Sequence, residues 1–137
     1  IGYLAGNVDI APTFAEWAGV IPPSFVEGRS LVDVLAGDSI PAEDWRQAFL
    51  LEVYRPLDEN FPIPTYGGLR TNQYTYIEHS DGFVEFYDLL KDPYQLENIA
   101  SSTDPALLKY YSNWLEVLSR CSGSECRDLE TGYAPDL

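Results

Sequence analysis

The chain contains one histidine, which is the first candidate for acid–base chemistry. His79 lies beside Ser80-Asp81-Gly82, a tripeptide typical of a tight turn between two strands. A hydrolase that used His79 with Asp81 would also need a serine or cysteine nucleophile oriented against the imidazole, and the pattern indicates none. We therefore interpret His79 as a solvated residue beside a hairpin turn.

Two acidic pairs and one glycine pair are the next candidates, for binding a metal ion or a phosphate group. Asp58-Glu59 and Glu43-Asp44 lack the alternating oxygen ligands of a calcium-binding loop, so we expect both pairs to face solvent. Gly67-Gly68 lacks the spacing of the nucleotide-binding glycine motifs and predicts a bulge or a close approach between two backbones. These residues predict neither a metal site nor a catalytic group.

Aromatic residues make up 14% of the chain, which suits either a packed core or a surface that stacks on sugars. Aromatic side chains at strand and helix spacing lie in the core more often than on such a surface. We therefore expect core positions for the aromatic residues of the predicted sheet and long helix, namely Tyr74, Tyr76, Tyr87 and Trp114.

Cys121 and Cys126 are the two cysteines of the chain and are separated by Ser-Gly-Ser-Glu. This spacing allows a disulfide that closes a small surface loop, which would stabilise the fold by about 2 kcal/mol. Two cysteines and one distant histidine do not supply the four ligands of a structural zinc site. We predict a Cys121–Cys126 disulfide and, with it, a secreted, periplasmic or lysosomal-type oxidising compartment.

The balance of charge limits the possible partners. The chain carries 22 acidic and 8 basic residues, and its formal net charge is −14. A charge of this sign repels phosphate groups, which argues against nucleic acid and anionic membranes as partners.

No apolar run approaches the roughly 20 residues that cross a bilayer. The first residue is Ile1 rather than Met, from which we expect a piece of a longer or processed protein.

Helix signals occur towards both ends of the chain. A first helix is expected from about Ile10 to Ala18, with Asp9 as its N-cap and Gly19 as its left-handed stop. Apolar residues at three- and four-residue spacing predict the longest helix, from about Pro105 to Arg120. We also expect a short helix over Leu31–Leu35, a single helical turn that begins at Asp92-Pro93, and a short polar tail after Cys126.

Strand signals lie between these helices. Ser80-Asp81-Gly82 predicts a hairpin between two neighbouring strands, which makes the sheet antiparallel. We therefore predict an α+β fold, in which a small antiparallel sheet of about four strands packs against the long C-terminal helix. The expected strands are Gln47–Tyr54, Leu69–Thr71, Tyr74–His79 and Phe83–Tyr87.

Three stretches resemble, in order and spacing, the C-terminal part of the sulfatase family in the alkaline phosphatase superfamily. The first runs over Asn7–Val20 and continues into Gly28-Arg29-Ser30-Leu31, and the second is Gly68-Leu69-Arg70-Thr71 with Tyr74–Glu78. The third is Glu85–Asn98, which contains Glu-Phe-Tyr-Asp-Leu and Asp-Pro-Tyr-Gln-Leu-Glu-Asn. The resemblance is to sulfatases of the arylsulfatase and N-acetylglucosamine-6-sulfatase type.

The resemblance implies that residues 1–36 are the last helix of a catalytic domain with its exit segment, and that 37–137 form the C-terminal subdomain. Such sulfatases hydrolyse sulfate esters with a calcium ion and a formylglycine made from a Cys/Ser-x-Pro-x-Arg motif. Neither Cys121 nor Cys126 is followed by Pro-x-Arg, so we expect both cofactors in the catalytic domain and no catalytic residue here. The implied partners are that domain and a sulfated small molecule or glycan.

The resemblance also implies that the segment Pro62–Gly68 lies near the mouth of the catalytic pocket. Tyr66 and Arg70 are therefore the candidates for substrate contact, because a tyrosine stacks on a sugar ring and an arginine offers planar donors to sulfate or carboxylate groups. Each has an alternative: Tyr66 packs within the fold, and Arg70 pairs with one of the many acids.

We expect a structural and substrate-rim subdomain of a sulfatase, which is inactive by itself. The alternative is a free-standing interaction or carbohydrate-binding module derived from a sulfatase tail.

Overall fold

A computed structural model describes residues 2–54 and 65–133 of the chain. Within these residues the predicted α+β class is confirmed. The α-helices are α1 (Ile10–Trp17), α2 (Val32–Ala36), α3 (Pro105–Leu118) and α4 (Ser124–Thr131), and the strands are β1 (Ala48–Val53), β2 (Tyr66–Thr71), β3 (Tyr74–His79) and β4 (Val84–Asp88). Single turns of 3-10 helix lie at Asn7–Asp9, Ala42–Asp44 and Ala100–Ser102.

The four strands form one antiparallel sheet in chain order, β1-β2-β3-β4. Successive side chains of a strand point to opposite faces, and cross-strand partners share a face. We call the two sides the inner face, which carries Leu50, Leu69, Tyr76 and Phe86, and the outer face, which carries Phe49, Tyr66, Arg70, Thr75, Ile77, His79, Glu85 and Tyr87.

The long helix α3 covers the inner face and closes the core. Asp104 caps this helix, since its side chain accepts a hydrogen bond from the backbone N–H of Ala106. Tyr87 is an exception to the expected aromatic core, because it lies on the outer face, one residue after Phe86. The buried core comprises Ala48, Leu69, Tyr76, Phe86, Tyr111, Trp114, Leu115 and Leu118, with Tyr74 partly buried against it.

Helix α1 turns apolar side chains towards solvent. Ile10, Phe14 and Trp17 are 51%, 61% and 59% exposed, although they lie on one side of the helix at four- and three-residue spacing. We call these three residues the apolar ridge of α1. The opposite side of the helix contacts the following segment, where the Thr13 hydroxyl accepts a hydrogen bond from the backbone N–H of Leu31.

Two short predicted elements are wrong. No helical turn begins at Asp92-Pro93, because the chain makes one tight turn there and Gln95 adopts a left-handed φ of 56°. The segment around Cys126 is not the start of a polar tail but part of α4. This helix packs on α3, and the indole N–H of Trp114 donates to the carbonyl of Leu129 over 2.9 Å.

The glycine pair lies inside β2, which begins at Tyr66 rather than at Leu69. The predicted close approach of backbones is confirmed at Gly68, where an added Cβ would lie 2.6 Å from the Tyr76 carbonyl oxygen.

Of the two acidic pairs, Glu43-Asp44 is exposed as expected. The pair Asp58-Glu59, like residues 62–64 of the predicted rim segment, lies outside the described residues.

The helices of the described ranges are short. None of those within residues 2–54 and 65–133 has the length and apolar character that a membrane crossing requires.

Candidate functional site

Tyr66 opens strand β2 on the outer face, at the end of the sheet where β1 stops. Strand pairing places it between Val53 of β1 and His79 of β3. The ring centroids of Tyr66 and His79 are 5.7 Å apart with planes tilted by 51°. On the other side of His79 the ring of Phe83 follows at 5.6 Å. We call Tyr66, His79 and Phe83 the end row.

His79 is the centre of the end row and is not the solvated turn residue expected from the sequence. Its side chain is 13% exposed, and its Nε2 lies 2.5 Å from Oε1 of Glu85. The other carboxylate oxygen of Glu85 accepts a hydrogen bond from the hydroxyl of Tyr87. The imidazole is therefore fixed by a carboxylate at one nitrogen and by a ring on each side.

The hydrogen bonds around Glu85 shift two pKa values in opposite directions. Partial burial raises the pKa of the Glu85 carboxyl, but the hydrogen bonds from Tyr87 and His79 outweigh it and leave this pKa below its usual value. Burial and the adjacent carboxylate raise the pKa of Tyr87 to about 12. Glu85 is thus a carboxylate and Tyr87 a neutral phenol at any ordinary pH.

A cleft of about 420 Å³ opens at the same end of the sheet. Its lining connects the strand ends to α3 and includes Tyr66 and His79 together with Glu52, Glu78 and Glu116. Among the described residues that line it there is no lysine or arginine. Carboxylates accept hydrogen bonds from hydroxyl and amino groups and repel anions, so the cleft suits the uncharged part of a sugar better than its sulfate.

Arg70 lies on the outer face as well, but four residues along β2 from Tyr66, which corresponds to about 13 Å of strand. Its Nη1 donates a hydrogen bond to the hydroxyl of Thr75 over 2.9 Å. Within residues 2–54 and 65–133 no carboxylate forms an ion pair with it. The two predicted contact residues therefore share a face without forming one compact site.

A buried cluster of charges, which the sequence analysis missed, lies where three segments meet. Arg46 donates to both oxygens of Asp9 over 2.8 and 2.9 Å, and its Nε donates to Glu130 over 2.7 Å. Asp9 also accepts from the backbone N–H groups of Gly6 and Arg29, each over 2.8 Å. Asp9 is the N-cap residue of α1, as predicted, but its side chain makes no capping hydrogen bond, because both carboxylate oxygens already have other donors.

Burial raises the pKa of the Asp9 carboxyl, but the hydrogen bonds from Arg46, Arg29 and Gly6 outweigh it and lower this pKa below its usual value. The partners are 37 and 84 residues from Arg46 in sequence. Residues this far apart in the chain form no local sequence motif. The cluster could therefore not be recognised from the sequence. Since its members satisfy one another, we interpret the cluster as structural.

The predicted disulfide between Cys121 and Cys126 is present and connects the end of α3 to α4. The described residues do not fit a metal ion, because no group of three or more histidine, cysteine, aspartate or glutamate side chains in residues 2–54 and 65–133 is placed to hold one.

Known protein families provide a separate observation. A sequence model of the family described as N-sulphoglucosamine sulphohydrolase, C-terminal, matches residues 2–117. Over 97% of its length the chain is 32% identical to the N-acetylglucosamine-6-sulfatase of Bos taurus and 31% identical to that of Homo sapiens. It spans 29% and 30% of these two relatives, so most of each relative has no counterpart in the chain.

Solved structures contain the same fold. A protein in complex with its substrate D-glucosamine-2-N,6-O-disulfate superposes with a TM-score of 0.72 and 32% identity, over 83% of this chain and 24% of that one. The phosphonate monoester hydrolase of Agrobacterium radiobacter superposes with a TM-score of 0.63 and 28% identity, over 81% and 23% of the two chains. The fold alone therefore does not select between sulfate and phosphonate esters.

Proposed function

The chain belongs to the family of N-sulphoglucosamine sulphohydrolase C-terminal domains, and on this premise we propose that it is the C-terminal domain of an enzyme that hydrolyses sulfate esters. The observation that carries the proposal is the alignment of 97% of the chain with N-acetylglucosamine-6-sulfatases. The matched relatives are enzymes rather than binding modules, which disfavours the alternative of a free-standing module derived from a sulfatase tail.

The substrate class that we propose is a sulfated glucosamine, either free or within a glycan. Relatives from mammals and from Bacteroides thetaiotaomicron are named for the 6-sulfate of N-acetylglucosamine. The superposable protein with a bound substrate holds a glucosamine that carries a 6-O-sulfate. The carboxylate-lined cleft beside Tyr66 agrees with a sugar whose hydroxyl groups are bound away from its sulfate.

Tyr66 and Arg70 are the proposed substrate contacts of this chain. Tyr66 is among the residues that line the cleft, and its aromatic ring would stack on a sugar bound at this edge of the sheet. Arg70 keeps its guanidinium free of carboxylate partners among the described residues, and it is bonded to Thr75 through Nη1. That leaves further donors of its planar group for a sulfate or a carboxylate of the substrate.

The proposed partner is the catalytic domain of the same sulfatase. We assign residues 1–36 to the last helix of that domain and its exit segment, and residues 37–137 to the C-terminal subdomain. Exposed contiguous apolar side chains mark interaction surfaces, and the apolar ridge of α1 is such a surface. The buried pair of Asp9 with Arg46 spans the proposed boundary, which supports a fixed geometry between the two parts.

The catalytic domain would supply the calcium ion and the formylglycine that the resemblance implies. When bound, the calcium ion would polarise the sulfate ester as a Lewis acid. We derive no step through either group from this chain, whose described residues do not fit a metal ion and whose two cysteines form a disulfide. This disulfide also supports an oxidising compartment for the enzyme, whether outside the cell, periplasmic or lysosomal in type.

The test is a comparison of esters with the longer protein that contains this chain. We expect turnover of N-acetylglucosamine 6-sulfate to exceed that of an aryl phosphonate monoester, and the chain by itself to hydrolyse neither. Tyr66→Ala and Arg70→Ala should raise KM for the sulfated sugar, whereas Gln73→Ala, at an exposed turn, should not. Preferred turnover of the phosphonate ester, or activity of the chain alone, would refute the proposal.

A further inference from the structure

We propose that His79 is a positioning residue, which holds the Tyr66 ring in the orientation that stacks on the sugar of the substrate. The inference rests on the proposed function, because it presupposes that Tyr66 contacts that sugar. It assigns a role to the one histidine of the chain, to which neither the sequence pattern nor the proposed function gives one.

The first step is that contacts on two sides hold the His79 ring in place. Its Nε2 lies 2.5 Å from Glu85, and the Glu85 carboxylate is held at its other oxygen by the Tyr87 hydroxyl. Phe83 flanks the imidazole at a centroid distance of 5.6 Å. A side chain with a hydrogen bond on one nitrogen and a ring against its side has few rotamers left, so it can serve as a fixed support.

The second step is that, among the described residues, the ring paired with Tyr66 is that of His79. The two residues are cross-strand partners in β2 and β3, and their centroids are 5.7 Å apart. The other cross-strand neighbour of Tyr66 is Val53, an aliphatic side chain in the edge strand β1. Aromatic rings attract one another when their centroids are about 4.5–7 Å apart, and the distance between these two rings lies in that range.

The third step is what this support contributes to binding. Tyr66 is the first residue of its strand and is among the residues that line the cleft. A partly exposed ring at the end of a strand would sample several rotamers without a neighbour to support it. Ordering such a ring when the substrate binds lowers the affinity, and a ring that is already ordered avoids this loss. His79 therefore acts on substrate binding through Tyr66, and its loss should change KM more than kcat.

The experiment is a double-mutant cycle in the longer protein, with N-acetylglucosamine 6-sulfate as the substrate. His79→Leu should raise KM by about two- to tenfold, the range that one aromatic pair is worth, and leave kcat nearly unchanged. His79→Gln should have the smaller effect, because its amide retains a donor for Glu85. His79 lines the cleft as well, and the double variant separates the two routes: Tyr66→Ala/His79→Leu should have the KM of Tyr66→Ala alone, which is the result expected when His79 acts only through Tyr66.

Each other outcome overturns a defined claim. If Tyr66→Ala raises KM but His79→Leu does not, or if the two effects multiply, the positioning role is wrong while the proposed function stands. If Tyr66→Ala leaves KM unchanged, both the rim role of Tyr66 and this inference fail. Should His79→Leu unfold, His79→Gln and Glu85→Gln provide the same comparison, and an unchanged KM in both would contradict the inference.

Discussion

The guanidinium of Arg46 donates two hydrogen bonds to the carboxylate of Asp9, 37 residues earlier in the chain, and neither side chain is exposed to solvent. Removing one partner of such a pair leaves the other buried without compensation. We therefore expect Arg46→Met to lower the free energy of unfolding by about 3–5 kcal/mol. Urea unfolding followed by tryptophan fluorescence measures this change.

The matched control for this variant is an arginine in an exposed ion pair. Arg120 pairs with Glu116 on the surface of α3 over 3.1 Å, and both side chains are largely exposed. Arg120→Ala should change the free energy of unfolding by less than about 0.5 kcal/mol. Equal losses for the two variants would contradict a special role for the buried cluster.

Asp9 also predicts how the stability of the chain depends on pH. Its pKa is lower in the folded state than in the unfolded chain, so the folded state favours the deprotonated form. The stabilisation is therefore complete above the unfolded value of about 4 and is lost as the pH falls below it. We expect the melting temperature of Asp9→Asn to be lower than that of the wild type at neutral pH, and the difference to shrink in acid.

Differential scanning calorimetry across that pH range tests the prediction. The same difference between the two proteins at every pH would show that the charge of Asp9 has no part in the stabilisation.

Two adjacent glycines in β2 should respond differently to alanine. A Cβ on Gly68 would lie 2.6 Å from the Tyr76 carbonyl oxygen, an atom of the paired strand that cannot move without distorting the sheet. A Cβ on Gly67 would lie 3.6 Å from the Leu115 side chain, an ordinary contact distance. We expect Gly68→Ala to cost about 1–3 kcal/mol and Gly67→Ala to be tolerated, as measured by chemical unfolding. The reverse order would refute the register of β2 and β3.

The apolar ridge of α1 predicts a difference between the chain and the longer protein. Phe14 is 61% exposed in the chain, so Phe14→Glu should leave the stability of the chain within about 0.5 kcal/mol of the wild type. If the ridge is buried against the catalytic domain, the same change should lower the melting temperature and the yield of the longer protein. Glu16→Gln, on the same helix, is the control; equal behaviour of both variants in the longer protein would exclude the ridge as an interface.

The sheet and the long helix could be predicted from the sequence because their signals are local. Alternation in Tyr74–His79, the turn at residues 80–82 and the cap at Asp104 each involve residues that are neighbours in the chain. The start of β2 was predicted too late, because its glycine pair has little intrinsic preference for a strand. Pairing with β1 on one side and β3 on the other overrides that preference.

The contacts that could not be predicted are those between distant residues. The partners of Arg46 are 37 and 84 positions away. Helix α4 has a mostly polar sequence, which is why its segment was interpreted as a polar tail. His79 was misinterpreted for a related reason. Its partner Glu85 is close in sequence, but only the β3–β4 register places the two side chains on one face.

The order of strands in the sheet has a kinetic consequence. Each strand pairs with its neighbour in the chain, so the sheet closes short loops and should form early in folding. The charged side chains that meet at Arg46 are far apart in the chain and close long loops. They should come together only after the transition state. A stopped-flow measurement should then find that Arg46→Met speeds unfolding and leaves refolding nearly unchanged, so that Arg46 determines how long the native state persists.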